Sequence, residues 1–451
     1  MESQERKTAG TSSPITVSTK LQRIAMLAKQ APGMGFTTLA HLIDQEWLRE
    51  AYRRTRKDGA AGVDGETAEQ YAQDLEENLQ GLLDRMKSGS YRAPPVRRVH
   101  IPKGDGKTTR PLGIPTFEDK VLQRAVAMVL EAIYEQDFLP CSYGFRPGKS
   151  AHQALQQLWE TLMGTRGGWV LEVDIRKFFD TLDHARLQQI VQRRVRDGVL
   201  LRLIGKWLNA GSLEEGEVTY PDQGTPQGGV ISPLLANIYL HEVLDEWFEQ
   251  EVKPRMKGRA ELIRYADDFV ICFFTQEEDA RRVTQVLPKR FEKYGLSLHP
   301  EKTQLLEFRA KRHGRNDPRR PRSFDLLGFT HYWSKTRWGK PLVKRRTAAS
   351  RMSRALRRVT EWCRLNRHLP LEEQHRTLTQ KMRGHYGYYG IRGNFEAIAT
   401  YAWEVVKRWR KWLARRTQGR LDWEKYNQIL KRFPLPRPRI VHQTHRLVAN
   451  P

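Results

Sequence analysis

The chain has 451 residues, of which 78 are Lys or Arg and 52 are Asp or Glu, giving a formal net charge of +26. This length predicts two to four packed units. The 39% hydrophobic content, at a mean hydropathy of -0.68, is enough to build packed cores, which excludes disordered and collagen-like classes. No apolar run approaches the length of about 18 residues that a membrane span requires. Residues 1–20 contain no apolar segment and predict a flexible lead rather than a secretory signal. The three cysteines, Cys141, Cys272 and Cys363, form no CxxC pair, which argues against a zinc site or a disulfide framework and favours a reducing compartment.

The positive charge is concentrated in the last third of the chain. Residues 1–308 contain 42 Lys or Arg and 43 Asp or Glu, whereas residues 309–451 contain 36 and 9. Such an excess repels itself unless a polyanion neutralises it. We therefore expect nucleic acid to be the partner of this part of the chain, in preference to an anionic membrane surface.

Helical and extended patterns succeed each other in the first part of the chain. The spacing of apolar residues predicts helices within 21–50, 68–86 and 119–134. Between them, the stretch 96–101 alternates apolar and polar residues and is followed by PKGDGK, whose Asp-Gly step favours a turn before a second extended run at 110–114. These features predict a β-hairpin.

The middle of the chain continues this mixture. WVLEVDI (169–175) is typical of a buried strand, and LIRYADDFVICFF (262–274) of two short strands around a polar tip. FDLLGF (324–329) predicts a last strand. Helices are expected at 185–208, 234–248 and 277–294. A hairpin at the acidic tip, with no repeated βαβ unit, favours an α+β domain with an antiparallel sheet.

The basic third begins with a charged, Pro-bearing segment at 309–322, interpreted as a connector or exposed loop. Beyond Thr347 the pattern turns helical. Two helices are predicted to place apolar residues inward and Lys or Arg outward, the first near 349–362 and the second near 402–413.

Three acidic residues stand where strands are predicted to end. Asp267 and Asp268 lie at the tip of a hairpin, and Asp174 follows a buried strand. Adjacent carboxylates are costly there unless a cation binds, and paired hard oxygen ligands suit Mg²⁺. The alternatives are a solvated Asp-Asp turn and, for Asp174, a helix cap. Three converging carboxylates are what two-metal phosphoryl transfer requires.

These residues resemble the palm of a reverse transcriptase of the group II intron maturase type. YADD is preceded by VDIRKFFDTLDH and GTPQGGVISPLLANIYL, and further blocks occur in the family's order over roughly residues 50–330. They are GAAGVDG, RRVHIPKGDGKTTRPLGIPT, SYGFRPGKSAH, GLSLHPEKT and FDLLGF. The resemblance implies a right-hand polymerase, with fingers and palm built from an antiparallel sheet and helices, followed by an all-helical thumb or X domain.

The resemblance also implies the roles of individual residues. Asp174, Asp267 and Asp268 would be the catalytic ligands of two Mg²⁺ ions, which Mn²⁺ could replace, and Ile175 would add its backbone carbonyl. Phe179 would be the steric gate that favours deoxynucleotides. The remaining nucleotide contacts would come from Lys103 and Arg110 on the fingers hairpin and from Gln227 and Gly228. Lys302 stands where polymerases keep a general acid, although a Lys at a helix end is common for other reasons.

A segment of the basic third combines aromatic, glycine and basic residues. RGHYGYYGIRGN (383–394) is similar to the maturase motif, with His385 where Trp is frequent and Gly387 where Asn is frequent. Tyr rings stack on bases and Arg pairs with phosphates, whereas the alternative is a helix corner with Tyr in the core. The predicted RNA-binding residues are Arg383, Tyr386, Tyr388, Tyr389, Arg392, Lys407, Arg408 and Lys411.

By this resemblance the protein is expected to be an RNA-directed DNA polymerase that also assists the splicing and mobility of a group II intron. Its expected partners are the intron RNA, an RNA template with a DNA primer, target DNA and dNTPs, with no membrane; the family leaves a homodimer open. A bacterial cytoplasmic location, at the nucleoid when acting on DNA, is expected. The zinc-bearing HNH endonuclease module of many relatives is not expected.

Two alternatives stay open at this stage. One is a splicing cofactor that mainly binds RNA; the other is a group II-like polymerase recruited to defence, CRISPR spacer acquisition or DNA repair. The expected organisation is a lead (1–20), an N-terminal extension with the start of the fingers (21–95), fingers and palm (96–330), a connector (331–344), the thumb or X domain (345–440) and a tail (441–451).

Overall fold

A computed structural model describes residues 16–102, 108–214, 216–220, 228–310, 322–416 and 421–442. Two predicted nucleotide contacts, Lys103 and Gln227, lie outside the described residues. So do residues 1–15 of the expected lead, most of the basic segment at 309–322, and residues 443–451 of the expected tail.

Four helices form the N-terminal part of the structure, before the fingers hairpin. The side chain of Thr16 caps the first of them by accepting from the backbone N–H of Thr19, so helix begins inside the expected 1–20 lead. The pattern at 21–50 is split in two, because Pro32 and Gly33 interrupt the helix. The helices are α1 (Val17–Gln30), α2 (Gln45–Arg54), α3 (Ala68–Tyr71) and α4 (Leu75–Ser88).

The predicted fingers hairpin is present. Strands β1 (Val96–Pro102) and β2 (Thr109–Ile114) pair antiparallel, with Ile101 opposite Arg110. Helix α5 (Phe117–Asp137) follows and is buried along most of its length, in contact with α1 and α2. The hairpin therefore projects from a helical base with an extensive apolar core.

The middle of the chain contains the palm strands and the helices around them. In chain order the elements are α6 (Ala151–Thr165), β3 (Gly167–Val173), β4 (Ile175–Arg176), α7 (Phe178–Thr181), α8 (His184–Arg194), α9 (Gly198–Leu208), β5 (Ser212–Glu214), β6 (Glu217–Thr219), α10 (Ser232–Leu240), β7 (Ala260–Tyr265), β8 (Asp268–Phe273), α11 (Glu277–Lys293), β9 (Ser297–Leu298) and β10 (Gln304–Arg309). Helix α10 continues as π-helix over His241–Val252.

The palm is a four-stranded antiparallel sheet in which β3, one of the two inner strands, precedes Asp174. The sheet order is β10-β3-β8-β7, and β4 pairs with β9 beside it. A further pair, β5 and β6, extends the sheet of the fingers hairpin.

The segment FDLLGF is not the last strand, which corrects the sequence prediction. It contains β11 (Phe324–Leu326) and the start of β12 (Phe329–Lys335), and β13 (Pro341–Thr347) follows. The three strands form an antiparallel sheet. Residues 331–344, expected to be a connector, therefore belong mostly to paired strands. The basic composition of this stretch hid its alternation, because Trp333 and Val343 are buried and the basic Arg345 is buried with them, whereas Lys335 and Arg346 are exposed.

The C-terminal part is helical, as predicted. It consists of α12 (Ala349–Leu365), α13 (Leu371–Tyr389), α14 (Phe395–Ala414) and α15 (Trp423–Arg432). Val359, Val405, Trp409 and Leu413 are buried in its core, in agreement with the predicted inward faces. After α15 the chain runs back along α13, where the backbone N–H of Val441 donates to the carbonyl of Gly390 at 2.7 Å.

The helical part and the palm share buried contacts. Leu155 of α6, Phe329 of β12 and Ile391 form one small apolar cluster. The imidazole of His152 lies 2.8 Å from the carbonyl oxygen of Tyr388. Among the described residues, no helix is both long and apolar enough to cross a membrane.

Candidate active site

The register of the palm sheet places the three predicted ligands at one end of adjacent strands. Val173 pairs with Phe269, so the residues that extend this ladder, Asp174 and Asp268, lie at the same end of adjacent strands. Tyr265 pairs with Asp268, which leaves Ala266 and Asp267 as a two-residue turn. The expected acidic hairpin tip is therefore present.

A buried polar network supports this turn. Arg264, which is fully buried, donates to both oxygens of Asp245 at 2.7 and 2.5 Å, to Asn237 at 3.0 Å and to the carbonyl of Ala266 at 3.1 Å. Burial opposes ionisation of Asp245, but the guanidinium of Arg264 holds the pKa of this carboxyl below its usual range. The network fixes the backbone on which Asp267 and Asp268 stand.

The turn also requires a close neighbour without a side chain. Ala266 has φ +56°, a left-handed conformation that is unusual for a residue with a Cβ. A Cβ at Gly144 would lie 2.3 Å from the backbone nitrogen of Ala266, and the carbonyl of Gly144 accepts from Asn237 at 2.7 Å. SYGFRPGKSAH thus contributes Gly144 as a packing position directly against YADD.

The three carboxylates influence one another electrostatically. Although the Asp268 side chain is exposed to solvent at the cavity, desolvation by the surrounding protein and the charges of Asp267 and Asp174 together raise its pKa to about 6, against the opposing charges of Arg351 and Arg110. Burial likewise raises the pKa of Asp267. A concentration of negative charge at this position would be relieved by a bound cation.

The carboxylates do not form a preformed metal centre. Within the described ranges, no three His, Cys, Asp or Glu side chains converge as metal ligands. Instead, the ammonium of Lys302 donates to a carboxylate oxygen of Asp174 at 2.9 Å. Ile175 is buried and pairs with Leu298, so its backbone is fixed beside Asp174.

The predicted nucleotide contacts surround these carboxylates. Arg110 is exposed on β2, and its charge acts on both Asp267 and Asp268. Phe179 lies on α7 and is half-buried. The centre of its ring lies 5.2 Å from that of buried Phe178, in an edge-to-face arrangement. A Cβ at Gly228 would lie 2.6 Å from the carbonyl oxygen of Gly113 in β2, so this loop packs closely against the fingers hairpin.

A second buried network, which the sequence reasoning missed, holds the segment after Gly228. The side-chain oxygen of Gln123 accepts from the backbone N–H of Val230 at 2.8 Å, while its amide donates to Asp119 at 3.1 Å. Asp119 also accepts from Tyr91 and, at 2.7 Å, from the indole of Trp207. Burial raises the pKa of Asp119 to about 6. Asp119 and Gln123 both lie in the predicted helix 119–134. Helical spacing indicates which face of this helix is buried, but it does not show which polar groups from distant parts of the chain pair with that face.

The cavity beside Asp267 and Asp268 has walls from both the palm and the C-terminal part. Its volume is about 350 Å³. The turn of Leu327 and Gly328 between β11 and β12, both at positive φ, forms one wall. The other lining residues are Phe145, Tyr265, Ala266, Arg351, Tyr388 and Tyr389.

The predicted RNA-binding residues divide into three groups. Tyr388 and Tyr389 line the cavity, and the hydroxyl of Tyr388 donates to the carbonyl of Leu327 at 2.8 Å. Tyr386 is 1% exposed and donates to the carbonyl of Pro436, so it is a core residue here, and its predicted stacking on RNA is corrected. Of the cations, Arg383, Arg392 and Lys411 are exposed, whereas Lys407 and Arg408 are paired with Glu404.

Comparisons with known proteins agree with this architecture. Residues 101–331 match the family model described as reverse transcriptase (RNA-dependent DNA polymerase). The chain is 40% identical to Protein YkfC of Escherichia coli, over 56% of this chain and 75% of that protein. It is also 40% identical to the group II intron-encoded protein LtrA of Lactococcus lactis, over 49% of this chain and 37% of that protein.

A more distant relative is the nuclear intron maturase 2, mitochondrial, of Arabidopsis thaliana, which is 31% identical over 32% of this chain. The matches thus cover most of YkfC but well under two thirds of LtrA. The residues that match the family model include all three carboxylates and the strands that carry them. The chain therefore belongs to the reverse transcriptase family of RNA-directed DNA polymerases, within its group II intron type.

Proposed function

We propose that Asp174, Asp267 and Asp268 are the catalytic carboxylates of this polymerase, which extends a DNA primer on an RNA template. The observation that carries the proposal is the β3 and β8 register, which sets Asp174 and Asp268 at one end of the palm sheet beside the 350 Å³ cavity. This cavity is bounded by both the palm and the helical part, as a site that holds a primer end requires.

The donor set fits Mg²⁺. Magnesium usually binds through one or two carboxylates together with substrate phosphates rather than through a cage of protein ligands, and carboxylate oxygens are the donors that Asp174, Asp267 and Asp268 supply. The three aspartates and the carbonyl of Ile175 would hold two Mg²⁺ ions, for which Mn²⁺ could substitute. When bound, they would lower the pKa of the attacking 3′-hydroxyl and neutralise charge on the leaving pyrophosphate.

The chain's own residues position the nucleotide around this centre. Arg110 would grip the triphosphate together with Lys103, which directly follows β1 in the sequence. Phe179 would exclude a 2′-hydroxyl by contact with the sugar, and Gly228, beside Gln227, would let the backbone approach the incoming nucleotide.

Lys302 would first act as the counter-ion of Asp174. Its contact with this carboxylate at 2.9 Å supports that role before a cation binds. After Lys302 is released from Asp174, its ammonium would be available for a second role, as the general acid for the leaving pyrophosphate.

A maturase role is proposed alongside polymerisation. The names of LtrA and of the Arabidopsis relative support a group II intron RNA as partner, and the excess of Lys and Arg after residue 308 supports binding of RNA. Target-primed reverse transcription, a DNA target and homodimer formation belong to the same proposal. Service in defence or repair is its alternative, which the genomic surroundings of the coding sequence would distinguish.

Primer extension tests the catalytic assignment. The wild-type protein, supplied with an RNA template, an annealed DNA primer, dNTPs and Mg²⁺, is expected to extend the primer, whereas Asp267→Asn and Asp268→Asn should each lose at least about a hundredfold in rate because charge stabilisation is lost. Asp180→Asn, in a neighbouring exposed carboxylate, is the matched control and should keep its rate. Extension at the wild-type rate by either of the first two variants would contradict the assignment.

A further inference from the structure

The hairpin of β12 and β13 ends in a tip, residues 336–340, that is closed by hydrogen bonds within it. The backbone N–H of Thr336 donates to the carbonyl of Lys340 at 2.8 Å, and that of Gly339 donates back to Thr336 at 3.0 Å. The hydroxyl of Thr336 accepts from the N–H groups of Trp338 and Lys340 at 3.3 and 3.2 Å. Gly339 takes φ +76°, which favours glycine. The tip is thus held in one conformation by its own hydrogen bonds.

This tip presents a large aromatic ring to solvent. Trp338 is 71% exposed, whereas Trp333 on the same hairpin is 9% exposed and lies in the core. The guanidinium of Arg337 lies 4.0 Å from the centre of the Trp338 ring. An indole left outside the core at a rigid position is available for stacking at no cost in ordering the backbone.

The charge around the ring has one sign. Residues 326–360 contain ten Lys or Arg and no Asp or Glu. Lys335, Arg337 and Lys340 are exposed at or next to the tip. An acidic polymer is therefore the partner that complements this surface.

The base of the hairpin is fixed to the palm. The indole of Trp159 in α6 donates to the carbonyl of Val343 at 2.8 Å, and Val343 and Trp333 are buried in the same cluster as residues of β3 and β8. The tip is consequently attached to a rigid platform, and Trp338 does not contribute to the lining of the cavity beside Asp267.

We propose that the hairpin tip binds an unpaired base of an RNA outside the polymerase cleft. Trp338 stacks on the base, and Lys335, Arg337 and Lys340 contact the flanking phosphates. Aromatic stacking combined with cations is the usual means of binding single-stranded nucleic acid, and folded RNA exposes unpaired bases in its loops. This assignment adds a contact surface to the proposed partnership with a structured RNA and rests on that proposal.

The test measures the affinity for a second RNA when the protein is already saturated with a template and primer. The full chain is saturated with an unlabelled RNA template annealed to a chain-terminated DNA primer, and a fluorescein-labelled 12-nucleotide single-stranded RNA is then titrated by anisotropy. Trp338→Ala should weaken binding of this second RNA by roughly tenfold, the range expected for loss of one stacked base. Trp338→Phe should retain most of the affinity, because it keeps an aromatic face.

Tyr220→Ala is the matched control, since Tyr220 is also 71% exposed but lies in the neutral part of the chain, and it should leave the second affinity unchanged. An affinity of Trp338→Ala within twofold of wild type would overturn the proposal. An equal loss for single-stranded DNA of the same sequence would overturn the assignment to RNA.

Primer extension by the same preparations separates this inference from the proposed function. Trp338→Ala is expected to extend a short primer at the wild-type rate, which would also show that the variant is folded. If the wild-type protein failed to extend the primer, the catalytic proposal would be contradicted. The comparison of RNA affinity between the wild type and Trp338→Ala would still test the inference about the hairpin tip.

Discussion

Arg264 and Asp245 show how the backbone of YADD is held by two residues that never face the cavity. Both are fully buried, and Arg264 also bonds the carbonyl of Ala266. Removing one member leaves the other as an uncompensated charge, which costs far more than a surface pair gains. The position of Asp267 therefore depends on an ion pair hidden behind it.

We predict that Asp245→Asn lowers the free energy of unfolding by about 3–5 kcal/mol at pH 7. The control Glu277→Gln, which breaks the exposed pair with Arg281, should change it by less than about 1 kcal/mol. Urea denaturation of both variants and the wild type measures the difference. A similar small change in both would contradict the buried pair's role.

The pH dependence of the same pair has a definite sign. The pKa of Asp245 is lowered in the folded protein, so the folded state binds its proton more weakly than the unfolded chain does. The contribution to stability is fully present above the ordinary Asp pKa of about 4 and is lost as the pH falls through the folded value. The difference in the free energy of unfolding between the wild type and Asp245→Asn should therefore narrow as the pH falls below about 4.

At the scale of elements, the backbone of residues 228–230, called here the Gly228 loop, is held in place from two sides. Gly113 of β2 approaches Gly228, and Gln123 of α5 binds the N–H of Val230. The fingers hairpin, α5 and the loop therefore meet at the proposed nucleotide site. A displacement of α5 would be transmitted to the loop through this side chain.

We predict that Gln123→Leu raises the KM for dNTP roughly tenfold, because it leaves the N–H of Val230 without its buried acceptor, and changes kcat less. Trp207→Phe is the control, since it removes a donor to Asp119 but leaves the hydrogen bond between Gln123 and Val230 in place. Steady-state primer extension with varied dNTP gives both constants. An equal rise in KM for the two variants would assign the effect to general loosening of the network.

The elements also show what could be predicted from the sequence. The fingers hairpin, the palm strands and the acidic tip follow from alternation, turn residues and the family blocks. Gln123 and Asp245 could not be found that way, because a polar residue on a helix reveals its function only through its partner in space. Tyr386 was misassigned for the same reason: Tyr388 and Tyr389 line the cavity, whereas Tyr386, two residues before Tyr388 and so about 200° around the helix, lies in the core.

The whole molecule is a nearly neutral body joined to a basic helical part through shared buried contacts. The charge pattern alone suggests two separable halves. In the structure, however, β12 begins at Phe329, and the side chain of Phe329 is buried together with those of Leu155 and Ile391. A cut near residue 330 would expose this cluster, so the division of charge is better tested by substitution.

We predict that replacing Arg383, Arg392 and Lys411 together by Gln weakens the salt dependence of single-stranded RNA binding. Each phosphate contact on a single strand contributes a slope of about 0.7 in the logarithm of affinity against that of salt, so the slope should fall by about 2. Filter binding over a salt series measures it. The control replaces Lys87, Lys289 and Lys293, exposed cations of the neutral body, and an equal fall there would contradict the division.

The order of the palm sheet has a consequence for how the protein folds. Strand β3 lies between β8 and β10, and Glu172 pairs with Gln304, about 130 residues further along the chain. Such pairings are slow to form, because a long loop must close before the contacts stabilise it. During synthesis, β3 therefore cannot complete its pairing until β10 has left the ribosome. The palm sheet that carries the proposed catalytic carboxylates is completed late, and a nascent chain that stops before β10 leaves one edge of β3, the edge that β10 covers, exposed to incorrect partners.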